Sequence, residues 1–503
     1  MINSVAWMHN PASWLPHDQH LARGGVEASR LRRVALLTLA LLTVFTMAAG
    51  VAVAHLLPAR LARWQIPRVT AHPLASPQPV LSAAGEPPGK TVTPGGLAAQ
   101  LSGTLSGPAL GAHVAAVVAA LPAGQVLFAR DGSSPAAPAS TAKLATAVAA
   151  LHALGPAARF STRVVAGRAR SAIVLVGGGD PTLAAGRPPA TDYPQPATLA
   201  SLAARTARAL HASHRHAVRL GYDTSLYAGP LLAPSWPSSY VATGNVSPIT
   251  SLEADQGRLT ASGAPQDADD PGNFRPRSLN PAADAARAFA SLLASHGIRV
   301  RGPARPATAP PGGVTIARVA SPPLAQVVQW MLIESNNVIA ENLARQVAIA
   351  AGRTASFSGA AAAVMAADRE LGVHGIRLVD GSGLSPDDRI TARALVGLIS
   401  LAARQDNPGL RPAITGLPVA GFAGTLAPGG SVFGAPGPAA LGLVRAKTGN
   451  LTSVVALAGV AYASNGQLLA FAFMADHVPK NGLSQAGGAI DKLATELAGC
   501  GCR

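Results

Sequence analysis

Short apolar runs bounded by turn residues characterise the chain after residue 100. The runs His113–Leu121 and Gln125–Arg130 flank the triplet Pro122-Ala123-Gly124, and two strand-like runs around a tight turn predict a β-hairpin. The segment that follows, Ser140–Leu154, is rich in alanine. It predicts a helix with Ser140 near its first turn.

The C-terminal part again alternates helical and strand-like patterns. Residues 322–352 predict a helical stretch, and the apolar runs Ser453–Ala463 and Gln467–Val478 surround Ser464-Asn465-Gly466. Asn-Gly between two apolar runs is a strong hairpin signal. A last helix is predicted over residues 484–497.

The middle of the chain has a different pattern. A short apolar strand, Ile173–Val176, a helix, Ala282–His296, and a short strand, Ile298–Val300, enclose a stretch rich in Pro, Gly and Asp. We interpret residues 161–310 as an insertion with its own small core. It would separate the two parts, 101–160 and 311–503, of one larger domain.

An apolar run near the N-terminus predicts export. Val34–Leu57 is a 24-residue stretch without formal charge, long enough to span a bilayer. The arginines before it predict that residues 1–33 stay in the cytoplasm as the N-terminal segment of a transmembrane anchor. Ala52-Val53-Ala54 resembles a signal-peptide cleavage site, so a cleaved leader is the second interpretation. A buried core helix is the third. Residues 58–100, rich in proline, predict a linker, so that both export hypotheses place the rest outside the membrane.

The charge of the chain favours polyanionic partners. The formal net charge is +16 and the pI is about 11.1, which suggests attraction to nucleic acid, anionic lipid headgroups or acidic wall polymers. Aromatic residues make up only 4% and the arginines are scattered singly. This pattern speaks against nucleic-acid binding.

The cysteines and histidines give no metal or cofactor signal. Cys500 and Cys502 are badly placed for an ordinary disulfide, and we expect no catalytic role for them. No His-Glu-x-x-His occurs, and no Cys/His set has zinc spacing. We therefore expect neither a metal nor a cofactor.

Lysine is rare in this chain, which draws attention to two of its positions. The sequence holds 35 arginines but only five lysines, among them Lys143 and Lys447. Arginine keeps its proton at any workable pH, whereas lysine loses one when it is buried or lies near another cation. A retained lysine therefore suggests an amine that must deprotonate, or a compact charge that must fit.

Ser140 and Lys143 form a Ser-x-x-Lys motif. Three residues along a helix place both side chains on one face. A lysine with a depressed pKa can accept the serine proton and so activate a nucleophile. Backbone N–H groups at a helix N-terminus can stabilise an oxyanion. The alternative is a helix-capping serine followed by a surface lysine.

Two further motifs follow in order. In Ser335-x-Asn337, the Ser335 hydroxyl would shuttle a proton and the Asn337 amide would hold the substrate. The alternative is a polar stretch on a partly exposed helix. Lys447-Thr448-Gly449 stands at or within the first strand of the C-terminal hairpin. There Lys would attract a carboxylate, Thr would donate a hydroxyl, and Gly would let a substrate backbone approach. A turn ahead of a strand is the alternative.

Together the motifs resemble a known family. Ser-x-x-Lys, Ser-x-Asn and Lys-Thr-Gly in this order are used by active-site-serine enzymes that handle penicillin. Over residues 105–495 the chain resembles the D-alanyl-D-alanine carboxypeptidase/endopeptidase family, the low-molecular-mass class C penicillin-binding proteins. Further similar stretches are Pro138–Lys143, Leu175–Leu183, Tyr222–Tyr227, Asp380–Ser385 and Leu417–Gly421.

The resemblance implies a mixed α/β (α+β) fold of the penicilloyl-serine transferase type. An antiparallel sheet would be flanked by helices, with a helical subdomain beside it and an inserted domain between the first two motifs. The stretch between Ser140 and Ser335 is short for the family's full insertion.

The resemblance also implies roles for single residues. Ser140 would form an acyl-enzyme on peptidoglycan stem peptides with Lys143 as base, and β-lactams would inhibit. Ser335 and Asn337 would line the cleft, while Lys447, Thr448 and Gly449 would bind substrate. The backbone N–H groups of Ser140 and Asn450 would form the oxyanion hole; Asn450 stands where relatives usually have Thr.

Three functional hypotheses remain at this stage. The leading one is a membrane-anchored serine-type D-Ala-D-Ala carboxypeptidase, with DD-endopeptidase action open because both activities cut beside a D-alanine. A serine β-lactamase shares the motifs, although Glu341, just after Ser335, is interpreted as structural rather than as a deacylating carboxylate. A non-catalytic wall-binding protein of the same fold is the third. The oligomeric state stays open.

Overall fold

The computed structural model describes residues 91–189, 193–259, 275–429, 433, 436–479 and 481–502. The predicted anchor 34–57, its preceding segment 1–33 and most of the predicted linker lie outside these residues. Within the described ranges, no helix combines the length and the apolar character that a bilayer span requires.

The described residues form strands and helices that we number in chain order. The strands are β1 Val114–Ala120, β2 Gln125–Arg130, β3 Pro135–Ala136, β4 Ser161–Ala166, β5 Ala172–Val176, β6 Ala217–Asp223, β7 Arg299–Val300, β8 Arg305–Pro306, β9 Thr315–Ala320, β10 Ile376–Arg377, β11 Arg389–Thr391, β12 Val444–Leu451, β13 Val454–Tyr462 and β14 Leu468–Ala475. The helices are α1 Pro94–Leu105, α2 Lys143–Leu154, α3 Leu199–Ala212, α4 Pro281–Ser295, α5 Leu324–Ile333, α6 Asn337–Ala350, α7 Phe357–Glu370, α8 Ala392–Ala403, α9 Pro412–Thr415 and α10 Leu483–Ala498.

A five-stranded antiparallel sheet in the order β12-β13-β14-β1-β2 organises the larger core. The N-terminal hairpin β1–β2 and the C-terminal hairpin β13–β14 both occur as predicted. Successive side chains of a strand point to opposite faces, and Val117 and Val118 accordingly belong to two different hydrophobic cores. The sheet is therefore buried on both faces, which explains why its central strands are almost continuously apolar.

Helices cover both faces of this sheet. On one face α8 packs against β1 and β14, and behind it α2, α5, α6 and α7 share one hydrophobic core, which makes the helical subdomain. On the other face α10 packs on β13 and against α1, which contacts β2. The antiparallel sheet flanked by helices agrees with the fold that the resemblance implied.

The region between α2 and α5 builds a second sheet. Its strands run β7-β6-β5-β4-β9, and β8 also pairs with β6. Helices α3 and α4 pack on it around a separate core that includes Leu175, Leu202 and Phe289. Strand β9 pairs antiparallel with β4, so this sheet extends to Ala320, beyond the insertion limit expected at residue 310.

Helix α1 corrects the predicted start of the folded chain. It begins at Pro94, inside the stretch 58–100 that the sequence predicts as a linker. Thr93 caps it by accepting a hydrogen bond from the Gly96 N–H, and Leu97 and Leu101 are fully buried. Proline is well tolerated at the first helical position, so the prolines that suggest a linker do not exclude a helix start.

The C-terminal cysteines also differ from the sequence expectation. The structure pairs Cys500 with Cys502 in a disulfide. Their Cα atoms are 4.9 Å apart, which lies inside the ordinary disulfide range. Cys500 is buried in the core under α10, and the Thr93 N–H donates to the Cys502 carbonyl oxygen at 3.2 Å.

The contact between β12 and β13 requires a glycine, which gives a testable prediction. A Cβ at Gly459 would lie 2.0 Å from the Arg445 carbonyl oxygen, so Gly459→Ala should lower the free energy of unfolding by about 1–3 kcal/mol. Urea denaturation measures this change.

Gly488→Ala is the matched control. Its Cβ would meet nothing within 4 Å on α10, and alanine should raise helix stability there by about 0.5–1 kcal/mol. Equal stability of the Gly459→Ala variant and the wild type would show that the two strands are not so closely apposed.

Candidate active site

A tight turn holds Ser140 immediately before α2. Residues Ala139–Ala142 form one turn of 3₁₀-helix, and α2 begins at Lys143, so the predicted helix 140–154 starts with a tighter turn than expected. The Thr141 hydroxyl donates to the Pro138 carbonyl oxygen at 2.7 Å. Ala139 has φ 46°, a conformation that costs a non-glycine residue energy and that clusters at functional sites.

The Lys143 amine is the centre of the site. Its Nζ lies 2.8 Å from Ser140 Oγ, 2.7 Å from Asn337 Oδ1 and 2.7 Å from the Ser382 carbonyl oxygen. Asn337 and the Ser382 carbonyl can only accept hydrogen bonds from this amine. A neutral amine satisfies both with its two N–H groups and has one lone pair left, which then faces the Ser140 hydroxyl.

Burial adjusts this amine for proton transfer. Lys143 is fully buried, and loss of solvent lowers its pKa to about 7, against the attraction of Asp380, Glu341 and Asp388. A base with a pKa near the working pH is suited to general base catalysis. The lowered pKa supports the predicted base role of Lys143, which stays a prediction.

The segment Asp380–Ser385 positions the Ser382 carbonyl. The Asp380 carboxylate accepts the N–H groups of Ser382, Gly383 and Ser385 at 2.7–3.0 Å, and the Trp236 indole N–H at 2.7 Å. These four bonds fix the turn. The sequence marked this segment only as a family-like stretch, because an accepting backbone carbonyl leaves no signature in the side chains.

Two neighbouring acidic groups support the same turn. Glu341 accepts the Gly381 N–H at 2.9 Å and pairs with Arg345, and burial raises its pKa to about 7. Burial, followed by the neighbouring Asp380, raises the pKa of Asp388 to about 9. Both groups therefore add less negative charge beside Lys143 than two ordinary carboxylates would.

Ser335 and Asn337 stand at a break between two helices, which corrects the continuous helical stretch predicted over 322–352. Ser335 has φ 55° and lies between α5 and α6, with Asn336 capping α6. The Asn337 amide donates to the Asn245 carbonyl oxygen at 2.9 Å, which orients its Oδ1 toward Lys143. The half-buried Ser335 has no hydrogen-bond partner for its hydroxyl among the described residues.

Strand β12 brings Lys447-Thr448-Gly449 against the Ser140 turn. A Cβ on Gly449 would lie 2.7 Å from the Pro138 carbonyl oxygen and 3.2 Å from the Ser140 nitrogen, so only glycine lets the strand pass this close. Asn450, the next residue, is exposed. The motif thus lies within β12, a separate strand that pairs with β13, and not at the start of or within the first strand of the predicted hairpin, which is β13 itself.

Lys447 and Thr448 form a second polar group beside the first. Lys447 Nζ donates to the Thr448 carbonyl oxygen at 2.9 Å, and the hydroxyls of Thr448 and Thr425 are 2.7 Å apart. Lys447 is fully buried, and burial together with the charge of Lys143 holds its pKa well below the ordinary value. The two lysines therefore lie close enough to influence each other.

The geometry therefore brings Ser140, Lys143 and Asn337 into direct contact, with Ser335 beside Asn337 and the Lys447–Asn450 strand against the Ser140 turn. A serine hydroxyl, a buried amine that can be neutral and nearby backbone N–H groups are the parts of a nucleophilic acyl-transfer site. Together with an antiparallel sheet flanked by helices, they are the parts expected of an active-site-serine enzyme.

Comparison with known proteins identifies the family. The family model described as D-Ala-D-Ala carboxypeptidase 3 (S13) matches residues 97–276 and 258–497. The chain belongs to this family.

Individual relatives match over most of their length. The chain is 39% identical over 443 residues to carboxypeptidase Rv3627c of Mycobacterium tuberculosis, covering 86% of this chain and 90% of that protein. It is 37% identical over 417 residues to carboxypeptidase DacB of Mycolicibacterium smegmatis, covering 82% and 86%. Its fold is similar to that of penicillin binding protein 4 from Haemophilus influenzae, with a TM-score of 0.62 at 21% identity over 81% of this chain and 98% of that chain.

These matches confirm three predictions made from sequence: the family, the penicilloyl-serine transferase fold and the enzyme class, a serine-type D-Ala-D-Ala carboxypeptidase. The roles of single side chains stay predictions, and so do the domain limits other than the two that the fold corrects, at Pro94 and Ala320.

The pKa of Lys143 gives a prediction about pH. With the neutral Lys143 amine as the predicted base, acylation of Ser140 by a fluorescent penicillin should rise about tenfold per pH unit below pH ~7 and level off above it. The cause is that the pKa of Lys143 is lowered to about 7. Stopped-flow or gel-based labelling from about pH 5 to about pH 9 measures the profile.

Lys143→Arg is the control for this profile, because a guanidinium keeps its proton throughout the range. This variant should acylate slowly without the rise near pH 7. A wild-type rate that stays constant or falls with increasing pH would contradict the base role.

Proposed function

We propose that this protein removes the terminal D-alanine from peptidoglycan stem peptides through an acyl-enzyme on Ser140. The observation that carries the proposal is the 2.8 Å contact of Ser140 Oγ with a Lys143 amine whose other two partners are acceptors. This arrangement leaves the amine one direction in which to take a proton, and that direction is toward the nucleophile.

Acylation follows from these positions. Lys143 takes the Ser140 proton as Oγ attacks the carbonyl carbon between the two D-alanines. The backbone N–H groups of Ser140 and Asn450 stabilise the oxyanion, as the closeness of β12 to the Ser140 turn supports. The C–N bond then breaks, and the proton taken by Lys143 passes to the departing amine, with Ser335 as the relay. Water, deprotonated by Lys143, then attacks the ester carbonyl carbon. The bond between that carbon and Ser140 Oγ breaks, the proton returns from Lys143 to Oγ, and the shortened peptide leaves with a carboxylate end.

The terminal carboxylate of the substrate fits the second polar group. Lys447 and Thr448 lie beside the nucleophile, where Thr448 offers a hydroxyl and Lys447 an amine. In the free enzyme burial and Lys143 lower the pKa of Lys447. An arriving carboxylate favours the charged form of that amine, so substrate binding and proton uptake at Lys447 are coupled. This coupling selects peptides with a free C-terminus.

The burial and the hydrogen bonds of Glu341 favour carboxypeptidase activity over β-lactamase activity. A fast β-lactamase needs a group that activates the deacylating water, whereas the Glu341 carboxylate is buried and held by Gly381 and Arg345. We therefore expect β-lactams to form a long-lived acyl-enzyme. A structure of the related Haemophilus influenzae protein carries a β-lactam, which supports the same class of inhibitor here.

We further propose that the catalytic part works on the outer side of the cell membrane. The apolar run 34–57, with its preceding arginines, supports an uncleaved anchor followed by a spacer. Peptidoglycan lies on that side, and the net charge of +16 favours a location among acidic wall polymers and anionic lipid headgroups.

Ser140→Ala tests the proposal directly. With a pentapeptide ending in D-Ala-D-Ala, the wild type should release D-alanine, and the variant should lose at least about 1,000-fold in kcat/KM, because no acyl-enzyme can form. Mass mapping after treatment with a fluorescent penicillin should find the label on Ser140 alone.

Two further arms separate the alternatives. A cross-linked muropeptide distinguishes endopeptidase from carboxypeptidase action, and rapid loss of penicillin without stable label would identify a β-lactamase. As a control, a Ser358→Ala variant, which changes an exposed serine on α7, should keep full activity. D-alanine release by the Ser140→Ala variant at the wild-type rate would overturn the proposal.

A further inference from the structure

A second cluster of chemically capable side chains lies at the edge where β1 meets β14. His113 directly precedes β1, and Asp476 and His477 directly follow β14. The two strands are antiparallel neighbours with Val114 opposite Ala475, so the start of one and the end of the other lie side by side. The fold thereby joins residues 363 positions apart in sequence.

The three side chains converge on one point. Asp476 Oδ1 lies 2.5 Å from His113 Nδ1 and 2.9 Å from His477 Nδ1. One ligand atom of each residue lies within 4.8 Å of the other two, and within the described ranges this is the one such group of three. The two imidazole rings meet edge to face with centroids 5.8 Å apart.

Further hydrogen bonds orient two of these side chains from behind. His113 Nε2 lies 3.0 Å from Ser134 Oγ, so the second ring nitrogen is occupied and Nδ1 is directed to the cluster. The other oxygen of Asp476, Oδ2, accepts the Ala137 N–H at 2.9 Å. Partners of this kind, on the far side of a histidine and a carboxylate, are typical of metal ligands because they fix orientation and tautomer.

The cluster is buried on one side and open on the other. The Asp476 side chain is only 6% exposed and His113 26%, whereas His477 is 68% exposed. A buried carboxylate next to two imidazoles is a strong site for a cation, and the exposed histidine leaves a path for entry and room for water ligands.

We propose that His113 Nδ1, Asp476 Oδ1 and His477 Nδ1 bind a divalent transition-metal ion, of which Zn²⁺ fits the ligand set best. Two imidazoles and one carboxylate with water completing the shell are ordinary ligands of this ion, at about 2.0–2.2 Å. In the structure Asp476 Oδ1 lies within hydrogen-bond distance of both ring nitrogens, and a metal ion would take the place of these two contacts.

The required adjustment is small. Ligand atoms around such an ion stand about 3.0–3.4 Å apart, so His113 Nδ1 and Asp476 Oδ1 have to separate slightly from 2.5 Å. The exposed His477 can turn to follow them. His113 and Asp476 keep their outer partners, Ser134 and Ala137, during this change.

The position of the site suggests what the metal ion would do. Asp476 holds Ala137, and Ala137 leads through Pro138 into the turn that carries Ser140. Ser134, behind His113, belongs to the same stretch of chain. A bound ion would therefore fix the chain segment that leads into the turn carrying the nucleophile Ser140. This consequence rests on the proposed function, whereas metal binding itself does not.

A second pair of neighbouring histidines tests whether two imidazoles alone are enough to bind a metal ion. His211 and His216 place their Nδ1 atoms 3.2 Å apart, and His211 Nε2 meets the His296 carbonyl oxygen. No carboxylate joins this pair in the part of the chain that the structure describes. If two neighbouring imidazoles were enough, this pair would bind metal equally well.

The experiment measures binding rather than activity. Full-length protein is freed of metal with a chelator and titrated with Zn²⁺ by calorimetry, and with Co²⁺ while its visible absorption is recorded. The wild type should bind one ion per chain at this site. His477→Ala should weaken this binding by about 100-fold or more, and Ser134→Ala by about 10-fold, because the latter removes only an orienting partner.

The controls keep the result interpretable. His211→Ala and Ser140→Ala should bind the ion like the wild type, so failure of the proposed catalysis leaves the metal measurement intact. Thermal unfolding without metal should show that His477→Ala is folded, as expected for a change at an exposed side chain. Equal affinity of the wild type and His477→Ala, or loss of the ion in His211→Ala instead, would overturn the proposal.

Discussion

The active site depends on one buried amine. Lys143 is held at 2.7–2.8 Å by the Ser140 hydroxyl, the Asn337 amide and the Ser382 carbonyl, which come from three separate parts of the chain. An ammonium ion is costly to bury, so its pKa falls toward neutrality. The same burial that lowers the pKa of the amine requires that each remaining N–H find a partner. The helix break before Asn337 and the turn at Asp380 meet that requirement.

The rest of the fold brings these parts together. The sheet supports β12, and two glycines allow close contacts there: Gly449 against the Ser140 turn and Gly459 against β12 itself. Because backbone meets backbone at both places, the distance between nucleophile and strand is set by main-chain atoms rather than by flexible side chains. Such a rigid arrangement suits a site whose hydrogen-bond donors must be in position before the reaction.

Local sequence patterns were enough to predict some of this structure, but they did not predict which distant parts of the chain pair with each other. Both hairpins and the helix after Ser140 depend on neighbouring residues, whereas the 3₁₀ turn at Ala139–Ala142 was not predicted. The rarity of lysine marked the two lysine motifs. The Ser382 carbonyl has no side-chain signature, and the left-handed Ser335 was hidden inside an apolar, helix-like stretch. Helix α1 was missed because its prolines resembled a linker. The pairing of β1 with β14, which brings His113 to Asp476, depends on contacts that no short segment contains.

The strand order β12-β13-β14-β1-β2 also determines when the enzyme can form during synthesis. Strands β1 and β2 emerge early, yet β1 has to wait for β14, which is made near the end of the chain. The second sheet, by contrast, takes all of its strands, β4 to β9, from one continuous stretch of the chain. It can therefore fold while β1, in the first hairpin, still lacks its second partner, β14. A chain that stops before β14 would carry a folded middle and an exposed apolar hairpin edge, and an exposed edge of this kind favours aggregation.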